Sequence, residues 1–455
     1  MMKNLLTRLR GLSERNVLLL LIMLVMSFGI YISYTAGYML LCGPLLIWSA
    51  GMAYSNLRNR ELRQSIAFRW ALASCAVFLV TVTAASMKGG LGNEQIFIVC
   101  MFYVLSIFVM FPQYKAKREI RRELMLLGET FACVYLPFEL TALASVFTGR
   151  VMHLPLIGSA IGIQSAGAVS DRIQIFMHTN GVSECAVLII LFSIYAIMNH
   201  SSWLCKVFFA FDLLVNAMVL AHTQSRTSII ALGFALALVV FRAVWLRPEL
   251  RRLCVRFAVG FAAAILAFFA VLNGTDWIFR VDISIAGDKA VDEVVSRSDT
   301  LGQFDVGGTG RGKIWKESLQ YLLDRPEKMI LGMGLASDKK IGEEYPFVGK
   351  YSSLHNSLLE CLATSGVLMV ICIAGLLCAL FCPALRMWLA PKDPAAPGMF
   401  LIPIAVAMLL AISLTESVLF INPRQVNFFF YLLGGYILQH DAIVKRTKDA
   451  GGEIH

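Results

Sequence analysis

Twelve apolar stretches govern what this chain can fold into. They lie at roughly residues 17–36, 38–55, 66–86, 95–111, 124–147, 181–198, 204–222, 227–244, 257–273, 357–381, 399–418 and 425–439. A helix crosses the hydrocarbon layer with about 20 apolar residues, since in lipid each backbone N–H and C=O must be satisfied within the segment. The stretches predict an all-α polytopic membrane protein of about 12 transmembrane helices. Composition agrees, with 58% of residues hydrophobic and 15% charged, where soluble chains carry about 25% charged. Met1–Arg15 is basic, but the apolar run behind it has membrane length and no small-residue cleavage site, which speaks against a signal peptide.

The stretches divide the chain. Residues 1–273 hold nine expected spans with a smaller connection at 148–180; residues 274–356 form one long, partly helical connection. Residues 357–439 hold the last three spans, and 440–455 are a solvated tail. Of the 40 Lys and Arg, 24 fall on the N-terminal side of the membrane, 5 in short loops on the other side, and 11 in the long connection. Basic residues accumulate in cytoplasmic loops, so both termini are expected in the cytoplasm and both connections outside. The net charge of +10 thereby reflects orientation rather than a nucleic-acid partner. The 11 cysteines lie in or beside apolar runs and none in the long connection, which argues against a disulfide framework or zinc site.

A connection of this length is functional or disordered. Disorder is disfavoured because Ile314, Trp315, Leu319, Leu322 and Leu323 form one helical stripe. That predicts an amphipathic helix over 313–324, stopped by Asp324-Arg-Pro326 and preceded by Gly307-Gly-Thr-Gly-Arg-Gly312. Glycines let backbone amides approach an anion, and a helix N-terminus favours negative charge. Arg311 offers a planar fork matched to phosphate oxygens, and Lys313 further positive potential. The plainer reading is a loop tip with solvated charges. A P-loop is excluded by Ile314, where magnesium binding needs Ser or Thr.

Three further features share the outer side. Arg226, in Ser225-Arg226-Thr227, is either a rim anchor or a second phosphate ligand. His355 opens the tenth span, where a helix N-terminus keeps imidazole neutral and able to accept a proton; Asn356 beside it is a candidate helix cap or substrate ligand. The histidines show no paired metal-ligand spacing, so no metal is expected. Glu129, Glu139, Glu184, Asp212, Glu360 and Glu416 interrupt apolar spans. No catalytic role is assigned to them, although Glu184 and Glu416 lie towards the outer leaflet.

The ordered set resembles the O-antigen ligase and polymerase superfamily of bacterial membrane glycosyltransferases. Its pieces are Ser225-Arg226-Thr227, Arg311-Gly-Lys-Ile-Trp315, Pro326, Gly332-Met-Gly334, His355-Asn-Ser-Leu-Leu-Glu360 and Gly366, with one large outer loop before the last three spans. The resemblance implies a metal- and cofactor-independent transferase in the bacterial inner membrane, its active site facing outward. The donor would be an undecaprenyl-diphosphate-linked glycan, and the acceptor a saccharide hydroxyl on lipid A core or a growing glycan. Arg226 and Arg311 would hold the diphosphate, and His355 would orient or deprotonate the acceptor. A protein O-oligosaccharyltransferase shares these motifs. A transporter or flippase is the competing class, but the polar signals gather in the last third rather than in two matched halves.

Overall fold

The computed structural model describes residues 13–28, 48, 51, 54–59, 62–63, 65–86, 111, 114, 116–148, 152–154, 159–164, 172–175, 179–247, 249–250, 252–286, 310–351, 353–391, 397–420 and 425–449. The first part is a succession of helices: α1 (Glu14–Phe28), α2 (Ile66–Ser86), α3 (Lys117–Thr148), α4 (Thr179–Asn199), α5 (Trp203–Thr223), α6 (Arg226–Trp245) and α7 (Leu253–Ala286). Three shorter helices follow: α8 (Arg311–Leu323), α9 (Pro326–Leu331) and α10 (Ser337–Gly342). The last three are α11 (Ser357–Leu389), α12 (Leu401–Ser413) and α13 (Gln425–Asp449).

The expected count of about 12 transmembrane helices is corrected by the structure. Among the described residues seven helices, α2 to α7 and α11, are long and apolar enough to cross a membrane. The stretches 38–55 and 95–111 fall almost entirely outside the described residues, and only Glu14–Phe28 of the first is described as helix. Helix α12 has 13 residues, about 20 Å against a hydrocarbon layer of about 30 Å. It stops because the chain turns at Leu414 into an irregular loop.

Helix α13 departs from a membrane span for a different reason. Its Gln425, Asn427, Gln439, His440 and Asp441 are polar yet buried, alongside Phe428, Phe429, Phe430, Tyr431 and Leu432. An interior helix can carry polar side chains when protein supplies the partners. Here Gln425 Nε2 donates to the Tyr135 hydroxyl at 3.0 Å, and Asp441 pairs with Arg386 at 2.7 Å. Helix α4 is buried along most of its length as well, so α4 and α13 form the middle of the bundle.

The connection at 148–180 contains a three-stranded antiparallel sheet that hydropathy did not anticipate, β1 (Met152–Leu154), β2 (Ser159–Gln164) and β3 (Arg172–Ile175), in the order β1-β2-β3. Register pairs His153 with Ala160 and Gly162 with Gln174. Ile173 and Ile175 point into the core.

Helix α11 is broken. Gly366 has φ 77° and ψ −177° inside it. The carbonyls freed at the break are taken by the chain after α9: Met333 N–H donates to Ala363 O at 2.8 Å, and Gly334 N–H to Thr364 O at 2.9 Å. Both backbones come so close that only glycine fits. A Cβ on Gly332 (φ 76°) would lie 2.4 Å from Thr364 O, and one on Gly366 would lie 2.1 Å from Ile330 O. Gly332→Ala is therefore expected to destabilise the protein by about 3 kcal/mol or more through strain and overlap. Gly274→Ala, with nothing within 4 Å of its Cβ, should leave thermal unfolding in detergent unchanged.

Candidate functional site

The N-terminal ends of α4, α6, α8 and α11 meet the loop between α12 and α13, and one carboxylate joins them. Glu416, in that loop, is 5% exposed. Its Oε1 accepts from the Arg311 guanidinium (Nη2) and from Asn180 Nδ2, the latter at 2.7 Å. Its Oε2 lies 3.0 Å from Nδ1 of His355. The other arm of the guanidinium, Nη1, donates to Thr227 Oγ1 at 3.1 Å, which also receives the Thr415 hydroxyl at 3.1 Å. A polar knot thus ties residues far apart in sequence.

Local chemistry explains each placement. Ser357, the first residue of α11, accepts through Oγ from Val418 and Leu419 N–H at 3.0 and 3.1 Å and donates to Glu416 O at 3.0 Å. That lashes the Glu416 loop to the start of α11. From the other side, Asn427 accepts from Phe420 N–H and donates to Phe420 O at 2.8 and 2.9 Å, which holds Phe420 at φ 68°. Glu360 Oε2 accepts from Leu354 N–H and from Ser417 Oγ, at 3.0 and 3.1 Å.

His355 has φ 50°, a left-handed conformation that costs a non-glycine residue about 1–3 kcal/mol and persists only where the surroundings enforce it. Enforcement comes from α8: Trp315 Nε1 donates to Leu354 O at 3.1 Å and His355 O at 3.3 Å. The Tyr351 ring meets the imidazole edge-on at 5.8 Å between centroids. With Nδ1–H given to Glu416, the neutral imidazole keeps its lone pair on Nε2. No hydrogen-bond partner of Nε2 occurs among the described residues. Such a carboxylate fixes the tautomer and the orientation of the ring.

Arg311 is the first residue of α8, after Gly310 in the left-handed region at φ 71°. A Cβ at Gly310 would lie 3.0 Å from the Phe347 ring and 3.2 Å from the Tyr351 hydroxyl. The glycine-rich approach read in the sequence therefore has at least one residue that must be glycine.

The sequence-predicted residues fare differently. Arg311 and His355 are brought together through Glu416. Arg226 is half-buried and opens α6, one residue before Thr227. Asn356 is engaged as a cap: its Oδ1 accepts from Leu359 N–H and its Nδ2 donates to Leu414 O, each at 2.9 Å. Lys313 is exposed on α8, with Glu317 at 3.7 Å and the Phe347 ring centroid at 4.5 Å, and the structure does not join it to the cluster. Sequence reasoning gave no role to Glu416, Thr227, Thr415 or Asn180. A signal existed for Glu416, an acid inside Ser413-Leu-Thr-Glu-Ser417 within an apolar stretch; for Asn180 there was none. No group of three or more His, Cys, Asp or Glu able to hold a metal occurs among the described residues.

Residues 211–374 match the family model described as O-antigen ligase. The matched segment runs from within α5 to within α11 and contains Arg226, Arg311 and His355, but ends before Glu416. The protein is thus a polytopic membrane protein related over that segment to the O-antigen ligase family. Comparison with curated proteins finds no match.

Arg311 is 21% exposed at its side chain, so its pairing with Glu416 is only partly screened by solvent. A double-mutant cycle of Arg311→Ala and Glu416→Ala, read by thermal or denaturant unfolding, should return a coupling of about 1–3 kcal/mol. Additive effects of the two changes would show that the pair is not energetically linked.

Proposed function

We propose that this protein is a membrane glycosyltransferase of the O-antigen ligase or polymerase type. It moves a glycan from an undecaprenyl-diphosphate donor to a saccharide hydroxyl at the outer face of the bacterial inner membrane. The observation that carries the reading is that a guanidinium and an imidazole share the Glu416 carboxylate at the ends of apolar helices, inside or beside the segment that matches the family.

In this mechanism Arg311 and Arg226 bind the donor diphosphate, a dianion or more, at helix N-termini whose dipoles add to the attraction. His355 accepts the acceptor O–H proton at Nε2 while that oxygen attacks the anomeric carbon. The bond from the anomeric carbon to the phosphate oxygen breaks, and its electron pair leaves with the lipid diphosphate. Arg226 and Arg311 neutralise the charge that develops there, the kind of preorganised stabilisation that dominates such transfers. Glu416 stabilises the imidazolium formed at His355 and acts through that residue without touching substrate. Diphosphate is already a good leaving group, so positioning carries much of the remaining barrier.

A cavity of about 270 Å³ supports the lipid side of this reading. It is lined by apolar residues of α6, α11 and α12 together with Leu238, Phe381, Trp388, Ala407 and Leu410 among them. It extends from Leu410 of α12 to Trp388 near the far end of α11. Phe381 and Leu385 on its rim are exposed, which opens it towards bilayer lipid as a polyprenyl chain requires.

The test is turnover of a lipid-linked glycan by the reconstituted protein. Arg311→Ala and His355→Ala, made separately, should each lower it by about 100-fold or more while membrane insertion stays normal. Cells relying on either variant should lose surface glycan and accumulate the lipid-linked donor; retention of full glycan by both variants would remove these residues from catalysis. Single repeats accumulating on deletion of the protein would indicate a polymerase, and full-length chains a ligase.

A further inference from the structure

Among the described residues of the connection between α7 and α11, four large apolar side chains are exposed: Leu319 and Leu323 on α8, and Ile330 and Leu331 on α9. A soluble segment that shows this much apolar surface has a covering partner. What covers α9 follows from its depth.

The break in α11 is the ruler. Arg386, exposed at 55% of its side chain, and Trp388 mark the far end of the helix, where cations and indoles sit at a membrane–water boundary. Gly366 lies twenty residues before Arg386, about 30 Å at the helical rise. That distance equals the thickness of the hydrocarbon layer. The break at Gly366 therefore stands at the near boundary. The carbonyl of Ile330 packs directly against Gly366, and Met333 and Gly334 bond across to Ala363 and Thr364. This backbone clamp leaves α9 no freedom of height. At that level Ile330 is 48% and Leu331 63% exposed, and two residues further in on α11 the lipid-facing surface resumes with Leu368 and Ile371.

The polar residues of the same segment fit the boundary. Arg325 and Lys328 both lie over the Tyr321 ring, at 4.1 and 4.9 Å from its centroid, and Lys328 Nζ donates to the Tyr321 hydroxyl at 2.7 Å. Lys328 is thus held two and three residues before two exposed aliphatic side chains, while Arg325 pairs with Glu344. This is the arrangement of an interfacial segment, with charge at the phosphates and apolar groups among the upper acyl carbons.

We infer that Arg325–Leu331 is a membrane-interface anchor. Ile330 and Leu331 sit among acyl chains on the cluster's side of the bilayer, and Lys328 sits at the level of the lipid phosphates. The occupant of this surface is the phospholipid leaflet itself. Because α8 leads straight into the anchor, the bilayer surface also sets the height of Arg311 at the other end of α8.

The experiment places a photoreactive diazirine side chain at Leu331, in the full-length protein in native membranes, with a matching one at exposed Glu343 as control. Both sites are exposed, so neither change disturbs packing. Irradiation followed by mass spectrometry should give phospholipid adducts at 331 exceeding those at 343 by about tenfold or more. Water adducts at 331 equal to those at 343 would overturn the inference, as would adducts to another protein or a second copy of this chain. The readout is independent of transferase activity, so it stands or falls separately from the proposed function.

Discussion

A carboxylate at the rim of an apolar bundle is costly unless cations and donors reach it, and Glu416 has drawn them from three distant parts of the chain. Arg311 comes from the long connection, His355 from the approach to α11 and Asn180 from the start of α4, while Thr227 of α6 accepts from the other arm of the guanidinium and from Thr415 beside Glu416. Removing the carboxylate would take from the guanidinium and the imidazole the group they share. The shape of the surrounding loops serves to hold that one group in place, through Ser357 on one flank and Asn427 on the other.

Much of this was readable from residue type and spacing, because the properties concerned are local. Apolar length identified α2 to α7 and α11 as spans. The stripe Ile314, Trp315, Leu319, Leu322 and Leu323 identified α8 within a residue or two, and the glycine before Arg311 and the cap at Asn356 were visible as turn and capping chemistry. What was not readable depends on distant parts of the chain. Hydropathy counts residues and not neighbours, so α13 resembled a short span when it is an interior helix whose polar side chains are met by protein. Glu416 stood out as an intramembrane acid, yet nothing local ties it to His355, 61 residues away. In the 148–180 connection β2 was hidden by its small residues, and β1 and β3, of three and four residues, are too short to carry a periodic signal.

The break at Gly366 links the two halves of the picture. A continuous α11 would present no free carbonyl to Met333 and Gly334, and the connection would have no fixed place to land. With the break, the backbone after α9 becomes part of the helix wall, and the helix that starts at Arg311 is held between that wall and the cluster. A conformational irregularity in one span thereby sets the position of a side chain more than fifty residues earlier.

The burial of α13 bears on how such a molecule comes into being. Helices α4 and α13, which form its middle, stand more than two hundred residues apart in the chain, and the loop that carries Glu416 immediately precedes the second. Chains emerge N-terminus first, so α4 reaches the translocation machinery well before the helix that packs beside it in the middle. A ribosome that stops short of residue 425 leaves Phe192 of α4 without the Phe429 ring it packs against.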